Sequence, residues 1–446
     1  MKERMAHIIR ENFPGPKSKT ILENREKYIA RGIGNSTYVV AEEAKGALIK
    51  DVDGNVFIDF AAGIGVQNVG HCNERVVEAI KDQTEKLIHP CFHVTLYEPY
   101  VALGKKLSEI VPINGVAKVM FANSGAEAVE NAIKLARRYT GKTGILCMER
   151  AFHGRTFMAM TLTSKVKPYK NGFGPFMNDT YRMPTPYYYR ENGHMTEEEC
   201  DELSIRKIED MFVTQLAADD IAAWIVEPIQ GEGGFIKLSS SYLRKVRDLC
   251  DKYGIVLIID EIQTGFARTG TMFALEASGV KADIMTLSKG IGAGVPISAV
   301  VGKKEIMDSA NPGEIGGTYG GSPLGCRAAL EVIEIIESEN LCEKAYKMGE
   351  YIKKRMEEIQ DDFEVIGDIR GSGAMMAIEF VKDKKSKLPN KDIVKPILDY
   401  ALNKGVIFIS AGVYGNVIRF LPPLVMTEEQ QEYGLDVLIE AIKQYA

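Results

Sequence analysis

Residues 255–265 read Ile-Val-Leu-Ile-Ile-Asp-Glu-Ile-Gln-Thr-Gly. Five apolar residues follow one another without polar alternation and end in the carboxylate of Asp260. A strand with no polar face is covered on both sides, as in a parallel sheet layered by helices. Carboxylates are seldom buried without a partner, so Asp260 reads either as a helix cap or as the counter-ion of a buried cation. Further buried runs and a cation are then to be sought elsewhere in the chain.

Similar runs are Ala117-Lys118-Val119-Met120-Phe121, Gly144-Ile145-Leu146-Cys147, Ala222 to Val226 and Ala282 to Leu287. Amphipathic segments separate most of them. Over residues 242–253, Leu243, Val246, Leu249, Cys250 and Tyr253 share one helical face, and Gly254 ends it. Strands alternating with helices predict an α/β fold, a large domain over residues 75–325 whose mainly parallel sheet is covered by helices. Before it, residues 1–74 hold a hairpin at 47–60, with Asp53-Gly54 as its turn. After it, residues 326–446 read as a smaller α+β domain, which the hairpin joins. Its pattern is helical over 326–360, short strands near 363–381, a helix near 391–404 and an apolar strand, Val406 to Ile409. The last helix opens on the capping box Thr427-Glu428-Glu429-Gln430. Between Lys167 and Met195 runs a Pro-, Gly- and Tyr-rich loop, of a length usually functional or interfacial.

The bulk properties narrow the function. A chain of 446 residues suits two or three domains. With 45% hydrophobic and 26% charged residues and a net charge of −6, it has the balance of a soluble enzyme. That charge argues against nucleic acid or a membrane surface as partner. No apolar run reaches the length of a membrane span, and the charged start Met-Lys-Glu-Arg-Met-Ala-His is unlike a signal peptide. Seven scattered cysteines without a C-x-x-C pair point to reduced thiols and a cytoplasmic protein. His89 and His93 flank Pro90 with no matching ligand set, so they read as structural, and no metal is expected.

In open α/β sheets ligands bind beyond the carboxyl ends of the strands. After Phe121 comes Ala122-Asn123-Ser124-Gly125-Ala126-Glu127, a capping box whose free amides at Gly125 and Ala126 would face an anion; taken alone it is best read as an ordinary N-cap. After Cys147, Phe152 and His153 precede Gly154-Arg155-Thr156, and Phe152 suits either a stacked planar ring or the core. After Val226, Glu227 and Glu232 stand in a glycine-rich turn. After Leu287 comes Lys289, followed by Gly290, Gly292 and Gly294. A single lysine there is more often a surface residue, but burial would lower its pKa towards a nucleophilic amine. Taken together, these strand ends supply what pyridoxal phosphate requires: a Schiff-base lysine (Lys289), a phosphate cup (Ser124, Gly125, Ala126), a carboxylate for the pyridine nitrogen (Asp260) and a ring clamp (Phe152).

The stretches NSGAEAVENAIKLAR, FHGRT, VEPIQGEGGF, DEIQTGFARTG, LSKG, GGTYGGSP and GNVIRFLPPL resemble the class III pyridoxal-phosphate aminotransferases, from about Lys45 to near the C-terminus. The resemblance implies the type I fold of pyridoxal-phosphate transferases and a ping-pong transamination of an ω-amino acid, 4-aminobutyrate, with 2-oxoglutarate as acceptor. It implies that Lys289 binds the cofactor and shuttles the proton, and that Asp260 keeps the pyridine nitrogen protonated. Gln263 would bond the phenolic oxygen, Ile262 and Phe152 would sandwich the ring, and His153 and Glu227 would belong to the cofactor's surroundings. Thr318 would reach the phosphate of a neighbouring subunit, which implies a homodimer or a dimer of dimers with shared sites. For the substrate, Arg155 would bind the distal carboxylate and Arg419 the α-carboxylate. Ile64 would line the substrate site, and Glu232 would neutralise Arg419 when no α-carboxylate is present. Ala267, where related sequences have glycine, Gly290, where serine often follows the lysine, and Phe152, Tyr in some members, depart from the pattern without removing a named group.

Gly290 to Gly294 could be taken for a dinucleotide fingerprint, but that motif precedes a helix, whereas Val295 to Val301 reads as a strand. Racemase or epimerase chemistry of the same fold needs no paired arginines, so Arg155, Arg419 and Glu232 favour transamination. As amino donor, 5-aminovalerate, ornithine or acetylornithine stay open beside 4-aminobutyrate.

Overall fold

The computed structural model describes residues 4–8, 13–191 and 195–446. Its centre is a seven-stranded sheet: β1 (Ala117–Ala122), β2 (Gly144–Met148), β3 (Thr180–Met183), β4 (Ile221–Val226), β5 (Val256–Asp260), β6 (Ile284–Leu287) and β7 (Ser298–Lys303). Their spatial order is β1-β7-β6-β5-β4-β2-β3. Only β7 runs antiparallel to its neighbours, between β1 and β6, so the sheet is mainly parallel, as the unalternating apolar runs require. Every residue of β2, β4, β5 and β6 is buried. Trp224 and Leu257, paired across β4 and β5, are buried in the main core.

Register aligns the strand ends. Asp260 is paired with Thr286, and Ile259 with Val226. The residues that follow, Glu227, Asp260 and Lys289, therefore leave three adjacent strands on the same edge, and β2 delivers Phe152 and His153 one strand further on. The helix Gly125–Thr140 starts at the end of β1, opened by a complete capping box: Glu127 N donates to Ser124 Oγ at 3.3 Å and Ser124 N to Glu127 Oε2 at 3.1 Å.

Smaller sheets flank this core. Leu48–Asp51 and Val56–Asp59 form the hairpin, with Gly54 at φ +93° in its turn, and Val406–Ile407 pairs parallel with Val56–Asp59. Ile366–Ser372, Met375–Phe380, Val417–Phe420 and Ile409–Ala411 form an antiparallel sheet that carries Arg419. The last helix, Glu428–Tyr445, has the predicted Thr427–Gln430 capping box.

The helical region over 326–360 holds two helices, Pro323–Ser338 and Leu341–Gln360, parted where Asn340 takes the left-handed conformation at φ +53°. Two expectations need correction. The apolar run Val406 to Ile409 is divided between two sheets rather than forming one strand. The segment 167–195 is not all loop: it holds edge strand β3 and the short helix Tyr188–Glu191, while residues 192–194 of that prediction lie outside the described residues. β3 carries the polar Thr180 and Arg182, and its first three residues are only partly buried, so it lacks the apolar signature of the inner strands.

Candidate active site

A cavity of about 180 Å³ opens at the carboxyl ends of β2, β4, β5 and β6. Of the residues expected there from sequence, Gly125, Ala126, Phe152, His153, Glu227, Glu232, Asp260, Ile262, Gln263 and Lys289 line it. Ser124 caps the adjoining helix and Arg419 reaches the site through Glu232. Ile64 is 45% exposed, on the turn Ala62–Gly65 beside Gln263. Thr318 is exposed and does not line the cavity of its own chain.

Lys289 opens a single 3₁₀ turn, Lys289–Gly292, with left-handed φ of +46°. That conformation is unusual for lysine, and such strain clusters at functional sites. Burial pushes the Lys289 amine below its ordinary pKa, Glu232 opposes this, and Arg419 adds to it. The lone lysine at the strand end is therefore a desolvated amine facing a cavity rather than a surface charge.

Asp260 is buried with His153 Nδ1 2.7 Å from its Oδ2, and Ile262 N donates to its Oδ1 at 3.1 Å. His153 Nε2 is buried with no hydrogen-bond partner among the described residues. Glu227 accepts from Phe152 N and from Gly231 N, both at 2.9 Å, and so ties the Phe152 loop to the Glu232 turn. Burial pushes the Glu227 carboxyl up to about 7.

Two close approaches shape the cavity. A Cβ on Gly125 would lie 2.9 Å from Ile262 Cδ1, so glycine lets Ile262 pack there without shifting. Gly231 likewise leaves room for the amide of Gln263, whose buried Oε1 has no hydrogen-bond partner among the described residues. The cavity thus carries an amine, an oriented carboxylate, unpaired buried polar atoms, and helix N-terminal amides of the kind that bind phosphate. These groups fit pyridoxal phosphate.

Beyond the cavity, Arg419 Nη1 donates to Glu232 Oε1 at 2.5 Å, and Arg419 Nη2 lies 3.4 Å from Oε2. Burial raises the Glu232 carboxyl, but the charge and hydrogen bonds of Arg419, with Lys289 and Gln263, hold it below the ordinary range. The Arg155 guanidinium lies 4.7 Å over the ring of Tyr169, which packs against Phe152 at 4.9 Å. Nothing in the residue pattern singles out Tyr169. Its segment is flagged by composition, but no spacing distinguishes it from the other tyrosines there. Lys165, half-buried with its Nζ donating to Gly412 O at 2.8 Å, was missed because it precedes that segment and no spacing marks it.

A family model for "Aminotransferase class-III" matches residues 28–442. A probable 4-aminobutyrate aminotransferase of Bacillus subtilis is 48% identical over 93% of this chain and 95% of its own length. A 5-aminovalerate aminotransferase of Pseudomonas aeruginosa is 44% identical over 96% of this chain and 99% of its own. Among solved structures, an aminotransferase of Bacillus anthracis superposes with a TM-score of 0.89 at 30% identity, covering 96% of this chain and 99% of that one. With the strand-end site in place, the match along nearly its whole length shows that the chain belongs to the class III aminotransferases.

Proposed function

We propose that the protein moves an amino group from an ω-amino acid, 4-aminobutyrate, to 2-oxoglutarate, giving succinate semialdehyde and glutamate, with pyridoxal phosphate held in the Lys289–Asp260 cavity. When bound, the cofactor supplies a carbonyl for amine exchange and a ring that withdraws electrons from the substrate carbon. Lys289, its amine made less basic by burial, anchors the cofactor and carries the proton from and back to the substrate carbon. Asp260 keeps a proton on the pyridine nitrogen, and His153 orients Asp260. Phe152 and Ile262 would cover the ring, Gln263 would bond the phenolic oxygen, and Ser124, Gly125 and Ala126 would hold the phosphate.

The observation that carries the substrate reading is the Glu232–Arg419 pair. An ω-amino acid brings only a distal carboxylate, which Arg155 binds; Arg419 would be left buried and unpaired, and Glu232 neutralises it. Glutamate and 2-oxoglutarate bring an α-carboxylate that takes Glu232's place. One pocket accepts two substrates because one guanidinium can be masked. A second reading, 5-aminovalerate as donor, is favoured by the relative of that name; one methylene changes recognition by about 1–3 kcal/mol. A spectroscopic half-reaction screen of 4-aminobutyrate, 5-aminovalerate and ornithine decides between donors. Conversion is expected to be fastest with 4-aminobutyrate, and an enzyme that converts only α-amino acids overturns the proposal.

We also propose a cytoplasmic location, on the expectation that the scattered cysteines are reduced thiols. Among the described residues, no helix is long and apolar enough to cross a membrane, and the seven cysteines are free. The same reading makes the protein a homodimer or a dimer of dimers. Ile88, Val94, Leu96 and Tyr319 are exposed apolar residues, with His89 against the Tyr319 ring next to Thr318. A second copy would cover this surface and receive Thr318 at its phosphate. Leu96→Asp is expected to shift the sedimenting species from dimer to monomer, with loss of activity; a dimer unaffected by this change places the interface elsewhere.

A further inference from the structure

Glu232 must leave Arg419 before an α-carboxylate can reach that guanidinium, and a largely desolvated carboxylate that gives up one partner needs another donor. Its two oxygens are held unequally. Oε1 is 2.5 Å from Arg419 Nη1, whereas Oε2 is 3.4 Å from Arg419 Nη2 and 3.4 Å from the Tyr169 hydroxyl. Oε2 therefore stands midway between its present partner and a second donor. Burial, followed by the Glu232 charge, raises the Tyr169 phenol, so it stays protonated and able to donate. The ring of the same residue bears the Arg155 guanidinium at 4.7 Å and leans on Phe152, a wall of the cavity. Lys165, whose basicity burial lowers and Glu232 restores in part, adds positive charge nearby.

We propose that Tyr169 is the positioning residue that couples the two carboxylate sites: its hydroxyl receives Glu232 when Arg419 is released to an α-carboxylate, and its ring holds Arg155 in place for the distal carboxylate. This rests on the reading that Glu232 masks Arg419 in one half-reaction. The two functions sit on different parts of one side chain, so two substitutions separate them. Tyr169→Phe keeps the ring and removes the donor. Tyr169→Leu removes both.

The test uses the cofactor-loaded enzyme, with each half-reaction followed by its absorbance change. Tyr169→Phe is expected to raise the KM for 2-oxoglutarate about tenfold, with kcat and the 4-aminobutyrate half-reaction within about twofold of wild type, the size expected for one hydrogen bond to a charged group. Tyr169→Leu is expected to show the same defect and, in addition, a KM for 4-aminobutyrate raised about two- to fivefold, the loss of one cation–π contact; Phe at this position then rescues the second defect alone. Glu232→Gln is run alongside. If it slows the 4-aminobutyrate half-reaction selectively while Tyr169→Phe leaves 2-oxoglutarate within twofold of wild type, the Tyr169 inference is overturned and the masking stands. If Glu232→Gln alters neither half-reaction, the masking is overturned and this inference with it. Equal losses in both half-reactions of Tyr169→Phe also overturn it, because they mark a merely structural role.

Discussion

Glu232 is almost isosteric with glutamine, and that makes its charge testable apart from its shape. In the structure its carboxylate neutralises the buried Arg419 at 2.5 Å. Glu232→Gln keeps an oxygen for Nη1 but leaves the guanidinium charge uncompensated whenever the substrate lacks an α-carboxylate. Breaking one half of a buried pair is far more costly than removing the whole pair. The 4-aminobutyrate half-reaction is therefore expected to slow by about 10- to 100-fold, while the glutamate half-reaction, in which the substrate itself supplies the anion, changes by less than about threefold. Stopped-flow absorbance with each amino donor measures both, and equal slowing would remove Glu232 from specificity. At this scale much was legible in the sequence. A lysine and an aspartate at the ends of apolar strands stand out because charges there are rare. Tyr169 does not stand out, because a tyrosine in a Pro- and Gly-rich segment is ordinary and its contacts arise only from the path of that segment.

At the N-terminus of the helix Gly125–Thr140, it is small residues with their backbone that border the candidate site. The capping box of Ser124 and Glu127 ties up part of the first turn, while Gly125 and Ala126 border the cavity. Gly125→Ala would place a methyl 2.9 Å from Ile262 Cδ1. The helix gains propensity, so folding changes little, but Ile262 must shift into the space read here as the ring site. Retention of pyridoxal phosphate through dialysis is expected to fall about tenfold with the thermal midpoint nearly unchanged; unchanged retention would show that Ile262 does not contact the ring. Glu127→Ala removes the other half of the box and is expected to lower stability by about 1 kcal/mol, measured by denaturant unfolding. Caps are local, so both boxes were readable from four residues. The break at Asn340 was not, because the apolar periodicity runs through it on both sides and only a positive φ marks it. β3 was hidden for the converse reason, since an edge strand needs no continuous apolar run.

At the scale of the whole molecule the sequence carried the layers but not their order. Buried runs separated by helices require a covered parallel sheet, yet no single run names its neighbour. The position of antiparallel β7 between β1 and β6, and the joining of Val406–Ile407 to the N-terminal hairpin, follow from pairing across the chain. That packing also buries Glu261, whose contribution to stability runs with pH in a direction opposite to that of a carboxylate held below its ordinary range by a partner. Glu261, next in sequence to Asp260, is fully buried and burial pushes it from 4.5 up to about 7. Between those values the folded protein keeps a proton that the unfolded chain has released. Stability from this group is complete below pH 4.5, falls as pH rises through 7, and is flat above, a change of about 3 kcal/mol in all. Glu261 accepts from Leu275 N at 2.8 Å and meets the Thr264 hydroxyl, which can turn to accept from an amide. Glu261→Gln therefore fits the site and abolishes the titration. Thermal midpoints of the cofactor-loaded enzyme, measured from pH 5 to 8 at one protein concentration, should show the variant gaining on wild type as pH rises to 7 and a constant difference beyond it. A difference independent of pH would mean that Glu261 is ionised in the folded state throughout, and that its hydrogen bonds outweigh the cost of its burial.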